Sequence, residues 1–127
     1  MALRFLLDEN ISHVVASHVH LHQPDIVIKS VHTWQEGAFR GRFDRELLLA
    51  AAEAGPTLVT YDLKTIPPLL VELSAEGRAH AGVIFVDALT IGNDEFGTMT
   101  RALLLFWQRN QSLDWQNRVH FLEKPPR

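Results

Sequence analysis

The residues of this chain most able to do chemistry are acids placed where apolar runs stop. Leu3, Phe5, Leu6 and Leu7 form a short apolar stretch that ends in Asp8, Glu9 and Asn10. The run Thr57-Leu58-Val59-Thr60-Tyr61 ends in Asp62, and Gly82-Val83-Ile84-Phe85-Val86 ends in Asp87. A fourth acid, Asp44, lies with Glu46 at the start of a leucine- and alanine-rich segment. An ionised carboxylate is costly to bury unless a cation or donors meet it. Carboxylates gathered at one rim repel one another and persist when a hard divalent cation compensates them; Mg²⁺ and Mn²⁺ suit such oxygen ligands. A cation of this kind activates water and stabilises the leaving oxygen in phosphodiester cleavage. The chemistry implied is metal-assisted hydrolysis.

Each acid also has a plainer use. Asp8 or Asn10 could cap a helix over Ile11–Val19, and Asp44 stands where a helix N-cap belongs. Asp62 could close an Asx-turn before Pro67, and Asp87 reads first as a loop residue at a strand end.

The elements that must position these acids alternate. After the first apolar run, Ile11, Val14, Val15 and Val19 recur at helical spacing. Pro24 and Asp25 break that helix, and Asp25–Val31 is β-branched and apolar enough for a second strand. From Trp34 to Phe43 the periodicity is lost in a basic loop with Gly37 and Gly41. Asp44-Arg45-Glu46 then opens a helix through Ala54, closed by Gly55 and Pro56. After the strand at 57–61, Pro67 and Pro68 fit the first turn of a helix running to Gly77. A strand over Ala81–Val86 follows, then a long helix through Thr98–Gln108 capped by Asn93 or Asp94. The apolar run Leu103–Trp107 in that helix predicts deep burial or a partner surface. Arg118–Leu122 supplies a last strand. This alternation predicts an α/β fold with a mainly parallel sheet of about four to five strands, whose strand-end acids share one rim.

Composition narrows the classes further. The chain has 127 residues, enough for a single domain over 1–127, and its apolar share of 46% argues against disorder. The absence of cysteine excludes disulfides, thiolate zinc sites and cysteine nucleophiles. No export signal or membrane-length apolar run is present, so the expectation is a cytoplasmic protein with no membrane partner. A net charge of −3 argues against coating nucleic acid through a broad basic field, though local basic contacts remain open. Nucleotide-binding glycine patterns, a zinc-protease helix and a serine-nucleophile elbow are absent. A phosphoacceptor receiver domain also uses strand-end acids, but it has an acidic pair at the first strand and a late-strand lysine, and Lys64 comes too early for that.

The ordered set Leu7-Asp8-Glu9-Asn10, Phe43-Asp44-Arg45-Glu46-Leu47-Leu48-Leu49-Ala50-Ala51-Ala52, Leu58-Val59-Thr60-Tyr61-Asp62 and Gly82–Val86 resembles the compact PIN-like domains, many of them regarded as toxins of toxin–antitoxin pairs. The resemblance covers roughly the first two thirds of the chain. It implies a PIN-like three-layer α/β/α sandwich whose acidic rim binds Mg²⁺ or Mn²⁺ and hydrolyses RNA. Carried over, Asp8 is the first-strand metal ligand, Asp44 the helix-start acid and Asp62 the acid after the Thr-Tyr pair, with Glu9 or Asp87 helping to orient water. The chain departs from the family pattern at Lys64 and Thr65, where a second acid and an aromatic are common, and a cation there weakens the case for a metal.

Arg40, Arg42 and Arg45 flank Asp44 and could grip RNA phosphates, as Lys64 could. A merely solvated basic loop is the alternative. His18 and His22 share a helical face, but two ligands do not make a specific metal site. Two readings follow. One is a metal-dependent endoribonuclease, with an RNA substrate, an antitoxin protein and a second copy of the chain as candidate partners. The alternative is a catalytically silent PIN-like protein-interaction or RNA-binding module, with Lys64 in place of the metal's charge and the Leu103–Trp107 helix as its docking face.

Overall fold

The computed structural model describes residues 3–41 and 44–126. Its centre is a parallel sheet of five strands: β1 (Phe5–Leu7), β2 (Ile28–Ser30), β3 (Thr57–Thr60), β4 (Val83–Phe85) and β5 (Val119–Phe121), in the order β2-β1-β3-β4-β5. Four α-helices connect them: α1 (His13–His22), α2 (Asp44–Ala54), α3 (Ile66–Ala75) and α4 (Phe96–Asn110). The inner strands are short and buried throughout because both of their faces are covered. Alternate side chains therefore serve different cores. Phe5, Leu7, Val59, Ile84 and Val86 pack with Val15 and Val19 of α1 and Met99, Leu103 and Phe106 of α4. Leu6, Leu58, Val83 and Phe85 pack on the opposite face with Leu47, Leu48 and Ala51 of α2 and Ile66 and Leu73 of α3. The result is a three-layer α/β/α arrangement, with the α/β fold and parallel sheet that the alternation predicts.

Several local expectations change. α1 starts later than the periodicity suggests, because Ser12 is its cap and accepts from the Val14 amide at 3.2 Å. Asp8 and Asn10 are thus not helix caps. Asp44 is the first residue of α2. α4 begins after Glu95, not at Asn93 or Asp94, and the Glu95 carboxylate accepts from the Gly92 amide at 2.8 Å. The strand expected over Asp25–Val31 contracts to Ile28–Ser30.

The Leu103–Trp107 run is spent on the interior. Leu103 and Phe106 are buried, Leu104 and Trp107 pack on the same core, and the Trp107 indole donates to the Leu3 carbonyl at 3.2 Å. Four of the five residues of the run thus serve the interior. Among the described residues no helix is long and apolar enough to cross a membrane.

Candidate functional site: a carboxylate cleft at the switch point

The chain leaves β1 for β2 on one side and returns to place β3 on the other. In doubly wound sheets such a reversal opens a crevice beyond the carboxyl ends of the two central strands, where ligands bind. A small cleft of about 220 Å³ lies there, lined by Asp8, Glu9, Asp44 and Asp62 together with Phe39 and Gly41. Asp8 extends from the end of β1 and is only 7% exposed. Its Oδ1 accepts from the Glu9 amide at 2.8 Å and its Oδ2 from the Thr60 hydroxyl at 2.7 Å. The same hydroxyl oxygen accepts from the Asp62 amide at 3.0 Å. One buried threonine at the end of β3 therefore ties the two strand-end acids together.

Asp62 turns the chain from β3 towards α3: its Oδ1 accepts from the amides of Lys64 at 3.0 Å and Thr65 at 2.7 Å. Burial works against its charge, but those amides, the Thr65 hydroxyl and a contact from Asp44 together hold its carboxyl below the ordinary value. Asp44 behaves in the opposite way. Burial, followed by the charges of Asp8 and Asp62 and a hydrogen-bond contact with Asp62, pushes its carboxyl up. Glu9 adds a smaller repulsion of the same sign. The surroundings thus shift the two acids in opposite directions.

These donors fit a hard divalent cation in their chemistry, being carboxylate oxygens converging from three separate segments. They do not stand in coordinating positions: among the described residues, no group of three or more His, Cys, Asp or Glu side chains forms a ready metal site. Asp8 is held in place by Thr60 and a backbone amide.

The remaining predicted residues divide. Asp87 does not line the cleft and accepts from the Leu89 amide at 2.9 Å, which makes it a turn former. Arg45 is turned to Glu76, meeting its two oxygens at 2.7 and 3.0 Å, and so is engaged within the fold. Arg40 and Lys64 are exposed, Lys64 directly after the Asp62 turn. Arg42 lies outside the described residues, as does Phe43.

Sequence reasoning missed Thr60 and the loop that walls the cleft. Thr60 could have been noticed as a polar residue inside a buried strand two places before Asp62. The loop begins at a tight turn, Trp34–Gly37, in which Gln35, Glu36 and Gly37 have φ values of 53°, 59° and 79°. Left-handed residues other than glycine cost about 1 kcal/mol each, so this turn needs outside support. Phe39 supplies some by packing on Trp34, with ring centroids 5.3 Å apart. Glu9 supplies more, accepting the Gly41 amide on its Oε1.

A larger cavity of about 690 Å³ opens beside Arg4, Thr57, His80, Asp114 and Trp115, in the loops that precede the strands. It brings no acids together and lies away from the switch point. No protein-family model matches this chain, and no curated protein or solved structure matches it.

Proposed function

We propose that this protein is a metal-dependent endoribonuclease of PIN-like type, acting in the manner of the toxin of a toxin–antitoxin pair. One observation carries the reading: Asp8, Asp44 and Asp62, from three separate segments, line one cleft at the switch point of a parallel sheet. Three acids that served only as caps or turn formers would have no reason to face each other. RNA as the substrate, and an antitoxin as the partner, rest on the resemblance of the ordered segments to PIN-like domains. The exposed Arg40 and Lys64 are available to phosphate oxygens.

Asp8, Asp44 and Asp62 would hold Mg²⁺ or Mn²⁺, which when bound would offset their repulsion, neutralise phosphate charge and make water more acidic. Asp8 is the fixed member, its orientation set by Thr60 and the Glu9 amide. Hydrolysis joins the oxygen of water to phosphorus as the bond to the leaving sugar oxygen breaks, and an ionised Asp44 would take the proton that water gives up. Asp62 stays ionised beside it, anchored by the two amides of its turn.

The test is calorimetric titration of Mn²⁺ into the metal-stripped protein, with Asp8→Asn as control. Saturable binding that disappears in Asp8→Asn, together with Mn²⁺-dependent RNA cleavage lost in the same variant, is expected. Absence of binding, or binding untouched by the substitution, would overturn it. That result would favour the silent PIN-like module, a reading that draws on Lys64 and on the resting engagement of Asp62 by its own turn.

A further inference from the structure

We infer that Glu9 is a positioning residue and not a cation ligand: its carboxylate pins the Gly41 amide and so holds the Phe39–Gly41 wall against the acids. The inference builds on the reading of the cleft as a cation site and assigns its fourth acid a different task.

Asp8 and Glu9 are neighbours in sequence but do different things at the strand end. Asp8 folds back to accept the Glu9 amide and the Thr60 hydroxyl. Glu9 reaches to Gly41, thirty-two residues further along the chain. Its backbone is fastened as well, since the Glu9 carbonyl accepts from Nε2 of His32 at 3.0 Å. His32 is itself braced: its amide donates to the Ser30 hydroxyl at 3.2 Å, and its ring meets that of His13 edge-on at 6.0 Å. Glu9 is thus a fixed post at the end of β1.

The wall it holds has reason to need a post. Three consecutive left-handed residues precede it, and Gly41 is left-handed again at φ 67°. A side chain at Gly41 would meet nothing within 4 Å, so glycine serves the backbone conformation there and not a close approach. That conformation points the Gly41 amide at Glu9. A carboxylate accepting a backbone amide makes a strong, charge-assisted bond, which turns the Glu9 side chain towards the wall. The wall in turn carries Arg40, and its Phe39 closes one side of the cleft. Glu9 therefore sets the shape of the cleft and the place of Arg40 beside it.

Glu9→Gln keeps an oxygen able to accept the Gly41 amide, whereas Glu9→Ala does not. Three readings are taken on each variant: hydrogen exchange of the Gly41 amide, the rate of tryptic cleavage after Arg40, and Mn²⁺ affinity. Glu9→Ala is expected to exchange Gly41 and to be cut after Arg40 roughly tenfold faster, the scale of one lost charge-assisted hydrogen bond. Glu9→Gln is expected to restore the protection and to bind Mn²⁺ within about twofold of the parent, a change too small to represent a lost ligand. A Glu9→Gln variant that loses Mn²⁺ as Asp8→Asn does would make Glu9 a ligand and overturn the inference. Equal Gly41 exchange in the parent and in Glu9→Ala would overturn it too. If the parent binds no Mn²⁺, the cation reading falls by itself, and Gly41 exchange alone decides whether Glu9 holds the wall.

Discussion

Thr60 is the group on which two acids of the cleft depend, since its hydroxyl donates to Asp8 and accepts from the Asp62 amide. Thr60→Val keeps the shape and removes both contacts, leaving the buried Asp8 carboxylate short of a donor. We expect a loss of about 2 kcal/mol in denaturant-derived stability and a weakened response to Mn²⁺. Asp44→Asn should act in the other direction. It removes a charge that its neighbours disfavour, and solvent screening limits the gain to about 0.5 kcal/mol, or roughly 2 °C in melting temperature, while Mn²⁺ binding is lost. A stabilised variant without metal binding would separate function from folding at this position. The acids themselves were legible in the sequence because each interrupts an apolar run. Thr60 was not, because threonine is an ordinary strand former and only the fold shows what its hydroxyl meets. The same holds for Glu9, which the sequence alone offered only as a group to help orient water.

At the scale of elements, two side chains fasten loops to the sheet and carry pH dependence. Tyr61 follows β3 and donates its hydroxyl to the Ile91 carbonyl at 2.9 Å, tying that strand to the segment ahead of α4. Burial, then the charges of Glu95 and Asp94, raise its phenol from 10.0 to about 12. A folded value above the unfolded one means that this contribution is complete below pH 10 and is lost as pH rises through 12. Tyr61 is the chain's single tyrosine, so phenolate absorbance should titrate near 12 in the native protein and near 10 once it is unfolded. His80 gives the opposite slope at lower pH. Its Nδ1 accepts from the Gly82 amide at 3.0 Å, and burial holds the imidazole below its ordinary 6.5. Its contribution is therefore full above about pH 6.5 and falls away as pH drops into and below that range. His80→Asn, which retains an acceptor, should flatten that part of the stability profile measured by denaturant midpoint. Strands and helices could be read from periodicity and from glycine and proline. Their exact starts could not, because several adjacent polar residues compete for each cap and Ser12 wins over Asp8 and Asn10 only through local geometry.

For the whole molecule, a cation bound only by the folded state should raise stability by mass action. At free Mn²⁺ near 100 times Kd the gain is about 2.7 kcal/mol, or roughly 10 °C in melting temperature, and Asp8→Asn should show none of it. The sheet that makes this possible was foreseeable as parallel from the alternation of elements. The strand order was not, because nothing in one sequence says on which side of β1 the next strand will lie. Both cores share that sheet, yet they draw on different parts of the chain. The α2–α3 core is complete by Phe85, while the α1 side is closed by residues from Ile91 to Leu122 and by the Trp107 indole on the Leu3 carbonyl. Synthesis from the amino end therefore delivers Asp8, Asp44 and Asp62 and one finished layer before the last helix exists. A nascent chain at that stage holds every acid of the cleft while α1 still lacks its cover, so protection from proteases and chaperones arrives only with α4.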